Sequence, residues 1–138
     1  MPNTAHFTIA NWCIFIACVL PIVCAGIAKS GMFGRPRREG GYDNADPRGW
    51  LARQADWRAR ANSAQANSFE ALPFFIAAVL AAQQMGATQS IIDILAVVFI
   101  TLRIIYIAMY VADLASARTL VWITAFAVNA GILFFGYR

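Results

Sequence analysis

The chain has few of the residues on which soluble proteins rely for charge and for acid–base chemistry. Only 13% of its 138 residues are charged, and His6 is the single histidine. One imidazole gives no basis for a histidine metal site or a histidine-based catalytic dyad, so we predict no metal site. With 60% hydrophobic residues and a mean hydropathy of +0.59, the composition is too apolar for a soluble domain of this length.

Cysteine is also scarce, and its placement excludes a metal or redox motif. Cys13, Cys18 and Cys24 share one apolar run at spacings of five and six residues. We expect them to pack as small buried hydrophobic side chains. The same run follows no lysine or arginine and contains no small-x-small cleavage site, so we expect a retained helix rather than a signal peptide.

Long apolar runs are what the chain does have. They cover about residues 6–28, 61–82, 90–111 and 119–137, each near the ~20 residues that cross a bilayer as a helix. Asp46 and Pro47 mark a helix start upstream of the second run. The sequence therefore predicts an all-α membrane protein, with helices at about 6–28, 46–83, 90–113 and 118–137. Residues 1–138 would form a single domain, a bundle of four transmembrane helices.

Positive charge is concentrated between the first two runs and absent from the link 83–89. The positive-inside rule therefore puts loops 29–45 and 113–118 in the cytoplasm and both termini outside. The basic loop is expected to contact anionic lipids. It carries no nucleic-acid-binding motif, and we predict no nucleic-acid partner. Its basic residues and those that open the second run are Lys29, Arg35, Arg37, Arg38, Arg48, Arg53, Arg58 and Arg60.

Two charges lie deep in the apolar runs. Glu70 follows Arg60 by ten residues and Arg103 precedes Asp113 by ten, so both sit ~15 Å from the same membrane surface. Because an unpaired charge at that depth is costly, Glu70 and Arg103 are predicted to form a structural ion pair. Arg60, Asn67 and Glu70 also share one helical face.

The segment 57–74 then resembles a known family signature. Its Asn67-x-x-Glu70-x-x-Pro73 pattern, with Arg103 and Arg118 downstream, is similar to the membrane-associated proteins in eicosanoid and glutathione metabolism (MAPEG), in particular the bacterial branch and microsomal glutathione transferases. The resemblance implies a homotrimer in the bacterial inner membrane. Glutathione would bind between subunits near the cytoplasmic end as a co-substrate, and hydrophobic small molecules would arrive from the lipid.

The resemblance also implies site residues. Arg118 would stabilise the glutathione thiolate as a catalytic residue, and Tyr110 would act as a secondary donor. Cation proximity favours a thiolate, which is the nucleophilic form of the thiol. Other positions that match glutathione contacts are Asn67, Glu70, Tyr106, Thr119 and Trp122.

Departures from the family pattern leave the function open. Ser63 and Ala66 stand where the glutathione-using eukaryotic members carry arginines. The implied activity is a membrane glutathione transferase or peroxidase acting on hydrophobic electrophiles. The alternative is a non-catalytic member of the family, such as a lipid-binding scaffold or an accessory subunit of a larger membrane complex. A third hypothesis is a proton-coupled transporter that uses the carboxylate of Glu70.

Overall fold

The computed structural model describes residues 6–136, and these residues form helices joined by a loop over residues 30–46 and by shorter links. Four of the helices are long and apolar enough to cross a membrane. The protein is therefore an all-helical integral membrane protein, as the hydropathy pattern predicts. In chain order the helices are α1 (Ile9–Lys29), a 3₁₀ turn (Arg37–Glu39), α2 (Pro47–Ala52), α3 (Asp56–Gln84), α4 (Gln89–Val111) and α5 (Ala115–Phe135).

The four long helices form an antiparallel bundle in which α3 and α4 each contact every other long helix. Alanines fill much of the core, for example Ala78 and Ala96, and small residues let membrane helices approach closely. Phe75 and Phe99 stack at 4.3 Å between ring centroids in the centre of this core. Large apolar side chains point outward instead, as expected for a surface covered by lipid; they include Trp12, Ile22, Leu120, Ile123 and Phe134.

One end of the bundle is closed by arginines from the first turns of α3. Arg58 Nη1 donates to the carbonyls of Ala28 and Ser30, both at 2.7 Å. Arg60 Nε donates to the Val111 carbonyl at 3.0 Å. Both arginines satisfy carbonyls at the C-terminal ends of neighbouring helices, which have no partner within their own helix. The ends of α1 and α4 are thereby fixed beside the start of α3.

The opposite end is closed by a polar network between α1, α3 and α4. Asp93 Oδ1 accepts the backbone N–H of Ala10 at 2.9 Å, in the first turn of α1. Gln83 Nε2 donates to Thr8 Oγ1 at 3.1 Å and to Gln89 Oε1 at 3.2 Å. These hydrogen bonds explain the polar side chains at the two ends of the bundle. The polar side chains between the ends require a separate explanation.

The predicted helix 46–83 is in fact two helices. Asp46 does cap α2, accepting the Gly49 N–H at 3.0 Å, but the helix stops at Ala52 and α3 begins at Asp56. The break allows Trp50 to pack in one buried cluster with Ala61. In a continuous helix these residues, eleven apart, would lie ~16 Å from each other along the axis. Tertiary packing therefore overrides the helical pattern here.

The last link is also shorter than the sequence suggests. α4 ends at Val111, and Asp113 adopts the left-handed conformation with φ of 63°. The Leu114 N–H then bonds the Met109 carbonyl at 2.9 Å, which completes a Schellman cap. α5 begins at Ala115, three residues before the predicted start at 118, and is described to Phe135.

The cysteines differ in burial. Cys13 and Cys24 pack inside the bundle as expected, whereas Cys18 is exposed on the outer face of α1. A position five residues from one core residue and six from the other lies on neither residue's face of the helix. The expectation of a buried thiol was wrong for Cys18.

Candidate functional site

The polar centre of the bundle is Arg103 on α4, which is only 3% exposed. Its Nη2 donates to Asn67 Oδ1 at 2.8 Å and approaches Ser68 Oγ at 3.5 Å. Its guanidinium also lies over the Tyr106 ring, 4.4 Å from the centroid. A buried cation requires such partners, because desolvation is otherwise strongly unfavourable. Arg103 is thus held in place from both α3 and α4.

The predicted direct ion pair between Glu70 and Arg103 was wrong for the structure of the single chain. Within residues 6–136 the two side chains form no salt bridge. Asn67 connects them instead, because its Nδ2 donates to Glu70 Oε2 at 3.4 Å while its Oδ1 accepts from Arg103. Ser68 marks the inward face of α3, and Glu70 lies two residues or ~200° further round the helix. The two residues do lie at one level of the bundle, as predicted, but their side chains do not meet.

A series of ring contacts leads from Arg103 toward the end of α4. The Tyr106 and Tyr110 rings meet edge to face at 5.6 Å. The Arg118 guanidinium lies over the Tyr110 ring at 4.0 Å from its centroid. We call the set of Arg103, Tyr106, Tyr110 and Arg118 the arginine–tyrosine series. All four residues were singled out in the sequence, and each contacts the next. At the inner end of the series, Arg103 bonds Asn67, which in turn bonds Glu70.

Arg118 does not open its helix, although the sequence predicted a helix start at 118; α5 begins at Ala115. Its N–H bonds the Leu114 carbonyl at 2.9 Å, so the unsatisfied N–H groups belong to earlier residues of α5. Thr119 likewise donates its hydroxyl to the Ala115 carbonyl at 3.1 Å. The Thr119 oxygen can accept a further hydrogen bond, but its proton is already engaged. Arg118 is therefore better placed than Thr119 to donate hydrogen bonds to a ligand.

Trp122 lines a cavity between α3, α4 and α5, which Arg103 of the series also lines. The cavity has a volume of about 150 Å³ and an opening to the surface. Trp122 stacks on Phe126 at 5.7 Å and both rings are substantially exposed at its rim. We call this the α5 cavity. Its lining residues are Asn67, Glu70, Ala71, Phe74, Phe99, Arg103, Trp122, Ala125, Phe126 and Asn129.

Two residues of the candidate site were not selected from the sequence. Ser68 is buried, donates to the Ala64 carbonyl at 2.8 Å and contacts Arg103. Ser68 follows Asn67 directly in the motif. The sequence did not indicate that its side chain points into the bundle. Asn129 is 2% exposed and lines the α5 cavity. A single amide in an otherwise apolar membrane helix was the available signal for it.

The two departures from the family pattern lie on another surface. Ser63 and Ala66 are exposed and line a shallow groove that also includes Arg48 of α2 and Phe69. The break between α2 and α3 is what brings Arg48 to this groove. A cation is therefore present in the groove although α3 itself carries none at 63 or 66.

These features define a class of protein: an integral membrane bundle of four apolar helices with a polar cluster buried between α3, α4 and α5. The family model described as the MAPEG family matches residues 9–137, and the chain belongs to this family. The family includes glutathione transferases and peroxidases and also non-catalytic members. No curated protein and no solved structure matches the chain.

Proposed function

We propose that the protein is a membrane glutathione transferase or peroxidase that adds the glutathione thiolate to hydrophobic electrophiles. The proposal rests on the absence of hydrogen-bond partners for the Arg118 guanidinium within residues 6–136. The guanidinium packs on the face of the Tyr110 ring and forms no hydrogen bond or salt bridge within residues 6–136. A half-buried cation with free N–H donors is suited to a sulfur anion.

The chemistry requires few groups. A thiol with a pKa of about 8.5 is mostly protonated at neutral pH, and a nearby cation shifts the equilibrium toward thiolate. The thiol proton leaves to water. A sulfur lone pair then forms the new C–S bond, while the electrons of the attacked bond move to the leaving group or onto an acceptor atom. Arg118 stabilises the sulfur anion, and the Tyr110 hydroxyl serves as a second donor.

Binding of the tripeptide is assigned to residues around the series and to the separate groove that Arg48 lines. The Glu70 carboxylate is exposed on the single chain and is suited to the ammonium group of glutathione. Asn67, Tyr106, Thr119 and Trp122 remain binding positions by family resemblance. Arg48 supplies a cation for a carboxylate in the groove where Ser63 and Ala66 replace arginine. This gives the chain an alternative to the missing pair of charges.

The assembly and orientation belong to the same proposal. Arg58, Arg60 and Arg118 mark one end of the bundle, and the positive-inside rule assigns that end, with loops 29–45 and 113–118, to the cytoplasm. Both termini then lie outside, in a bacterial inner membrane. A homotrimer would cover the exposed carboxylate of Glu70, because α3 presents it on an otherwise apolar stretch.

The test is glutathione conjugation to a hydrophobic electrophile, such as a chlorodinitrobenzene, by purified protein in detergent. Loss of one charge-assisted contact corresponds to roughly tenfold or more in kcat/KM, so Arg118→Ala should fall by at least that factor. The matched control is Arg38→Ala, since the Arg38 side chain is 85% exposed and distant in sequence from the series. Wild-type activity in Arg118→Ala would refute the assignment of Arg118.

Two variants of Tyr110 distinguish its two proposed roles. The ring would position Arg118, and the hydroxyl would donate a hydrogen bond to the thiolate. Tyr110→Phe keeps the ring and removes the hydroxyl, whereas Tyr110→Leu also removes the cation–π contact, worth about 0.5–1 kcal/mol at an exposed site. We expect the rate to fall in the order wild type, Tyr110→Phe, Tyr110→Leu. Equal rates for the two variants would show that the ring does not position Arg118.

Ser63 and Ala66 favour a second candidate, a non-catalytic family member that acts as a lipid-binding scaffold or as an accessory subunit of a larger membrane complex. Such a protein has no need to bind glutathione. Isothermal titration of the purified protein with glutathione distinguishes the two. Saturable binding that weakens in Arg48→Ala supports the transferase, and the absence of binding supports the second candidate.

A further inference from the structure

A groove on the outer surface of the bundle runs between α1 and α4, and all its side chains are aliphatic. α1 contributes Leu20, Val23 and Ile27, and α4 contributes five residues between Ile104 and Ala112. The groove has a volume of about 540 Å³. We call it the α1–α4 groove. None of its lining residues belongs to the arginine–tyrosine series or to the positions proposed to bind glutathione.

The shape of the α1–α4 groove suits a single hydrocarbon chain. Leu20 and Ile107 are buried and form its floor, whereas Val23 and Ile104 are exposed and form its rims. Ala108 lies one turn beyond Ile104 on the same face of α4, and its small side chain keeps the groove open. An acyl chain would cover this surface without leaving any polar group unpaired.

The groove occupies one half of the membrane-spanning bundle. α1 rises ~10 Å from Leu20 to Ile27, and α4 rises ~12 Å from Ile104 to Ala112. Half of a hydrocarbon core of about 30 Å is ~15 Å, so the groove has nearly the depth of one leaflet. Its outer end coincides with the C-terminal ends of both helices. A lipid in the groove would therefore place its headgroup at these helix ends.

Two arginines of α3 lie at the same end of the groove. Arg60 Nε donates to the carbonyl of Val111, which lines the groove, at 3.0 Å. Arg58 Nη1 donates to the carbonyl of Ala28, which follows the lining residue Ile27, at 2.7 Å. A guanidinium has five N–H donors, so each arginine keeps further donors while it holds its helix end. Neither side chain has to give up its carbonyl to bind a phosphate.

Neither of these arginines is paired with a carboxylate. The salt bridges within residues 6–136 all belong to arginines that precede α3. Asp56 and Asp113 lie near this end of the bundle in sequence, and neither forms a salt bridge with Arg58 or Arg60. A bond to a carbonyl satisfies an N–H group but leaves the positive charge in place. Such a charge at the membrane surface attracts anionic headgroups.

We propose that the α1–α4 groove binds one anionic phospholipid, whose acyl chain lies along the groove and whose phosphate accepts hydrogen bonds from Arg58 and Arg60. Charge-assisted bonds between guanidinium and phosphate are among the stronger hydrogen bonds in proteins. The site differs from general contact between the basic loop and the membrane, because the groove and the arginines fix both parts of the lipid. It does not depend on the proposed glutathione chemistry.

The test compares palmitoyl-oleoyl phosphatidylglycerol with phosphatidylcholine that carries the same chains. Each lipid is titrated into delipidated protein in a neutral detergent, and bound lipids are counted by native mass spectrometry. The attraction of one surface cation for an anionic lipid corresponds to about a fivefold change in affinity. We expect one tightly bound phosphatidylglycerol per chain, with a preference over phosphatidylcholine of roughly fivefold or more.

Charge variants test the two arginines. Arg60→Gln retains a donor for the Val111 carbonyl but removes the charge, so the preference for phosphatidylglycerol should fall about fivefold. Arg58→Gln makes the same test at the second cation and serves if Arg60→Gln does not fold. The control is Arg38→Gln, which removes a charge from an 85% exposed side chain of the basic loop and should preserve the preference.

A filling variant tests the groove without changing any charge. Ala108→Leu occupies the space on the α4 side and should weaken binding of both lipids by roughly tenfold. Ala127→Leu makes the same change at an exposed position of α5 that does not line the groove, and it should leave lipid binding intact. The same mass spectra give the number of subunits, which should be equal in both variants and the wild-type protein.

Four results would overturn the inference. Equal affinity for the two lipids would show only non-specific lipid contact. A preference that is unchanged in both charge variants would exclude the arginines, and wild-type binding in Ala108→Leu would exclude the groove. A changed number of subunits in Ala108→Leu would mean that a second copy of the chain, rather than a lipid, fills the groove.

Discussion

Removal of the Arg103 cation tests whether the buried polar centre is one coupled unit. Arg103→Met keeps much of the side-chain volume but loses the 2.8 Å bond to Asn67 and the contact with the Tyr106 ring. A hydrogen bond to a charged group contributes about 1.5–3 kcal/mol and a desolvated cation–π contact about 2 kcal/mol. Relief of the desolvation of Arg103 offsets part of this. We expect a net loss of about 2–3 kcal/mol in the free energy of unfolding.

The coupling to Glu70 is the sharper part of the prediction. Without Arg103 the Glu70 carboxylate has no opposing charge at that depth, although its exposure on the single chain weakens the effect. Glu70→Gln alone should cost less than about 1 kcal/mol, because an amide oxygen can still accept from Asn67. The double variant should then be about 1 kcal/mol more stable than the sum of the single variants implies. The coupling passes through Asn67, since the two side chains do not touch.

The assay is unfolding in mixed micelles with increasing sodium dodecyl sulfate, followed by circular dichroism. Arg38→Met provides the control for loss of a surface arginine and should leave the unfolding midpoint unchanged. Distant independent sites add within about 0.3–0.5 kcal/mol. Additivity within that range for Arg103→Met and Glu70→Gln would refute the relay through Asn67. A cost below 1 kcal/mol for Arg103→Met would refute its structural importance.

Two further predictions concern helix ends and use the same unfolding assay. Arg60→Ala should lower stability by about 1 kcal/mol, because the Val111 carbonyl loses its 3.0 Å partner; a loss no larger than that of Arg38→Ala would contradict the capping role. Asp113→Gly should raise stability by about 0.5–1 kcal/mol, since Asp113 has φ of 63° in a Schellman cap where glycine is unstrained. A lower midpoint for Asp113→Gly would show that the carboxylate has a compensating contact.

The common level of two residues along the bundle was predictable from sequence, whereas direction around a helix was not. Counting ten residues from each membrane edge placed Glu70 and Arg103 at the same level, and the short contact between Arg103 and Asn67 confirms that α3 and α4 meet there. The azimuth of a side chain depends on how a neighbouring helix packs. Single-helix periodicity relates residues of one helix to each other but does not say which face meets a partner. Glu70 was therefore paired directly with a cation that Asn67 reaches instead.

Helix boundaries failed for a related reason. The pattern from Pro47 to Gln84 is compatible with one helix, and only the burial of Trp50 beside Ala61 shows that the chain must turn between α2 and α3. The apolar run of α5 begins near Thr119, but the helix itself begins at Ala115. The Schellman cap at Asp113 reverses the chain so tightly that only three residues separate α4 from α5. Hydropathy identifies the membrane-spanning part of a helix and not its full extent.

The arginines of the bundle differ in whether their guanidinium groups already donate hydrogen bonds within the chain. Arg58 is bonded to two carbonyls at the end of α1, and Arg60 is bonded to the end of α4. Arg103 is committed to Asn67 and is almost fully buried. Moving any of these cations to a ligand would leave a helix end or a buried amide unpaired, at the cost of a lost hydrogen bond. Arg118 lies over a ring face, which orients the guanidinium and leaves its N–H groups available for the sulfur anion that we propose as its ligand.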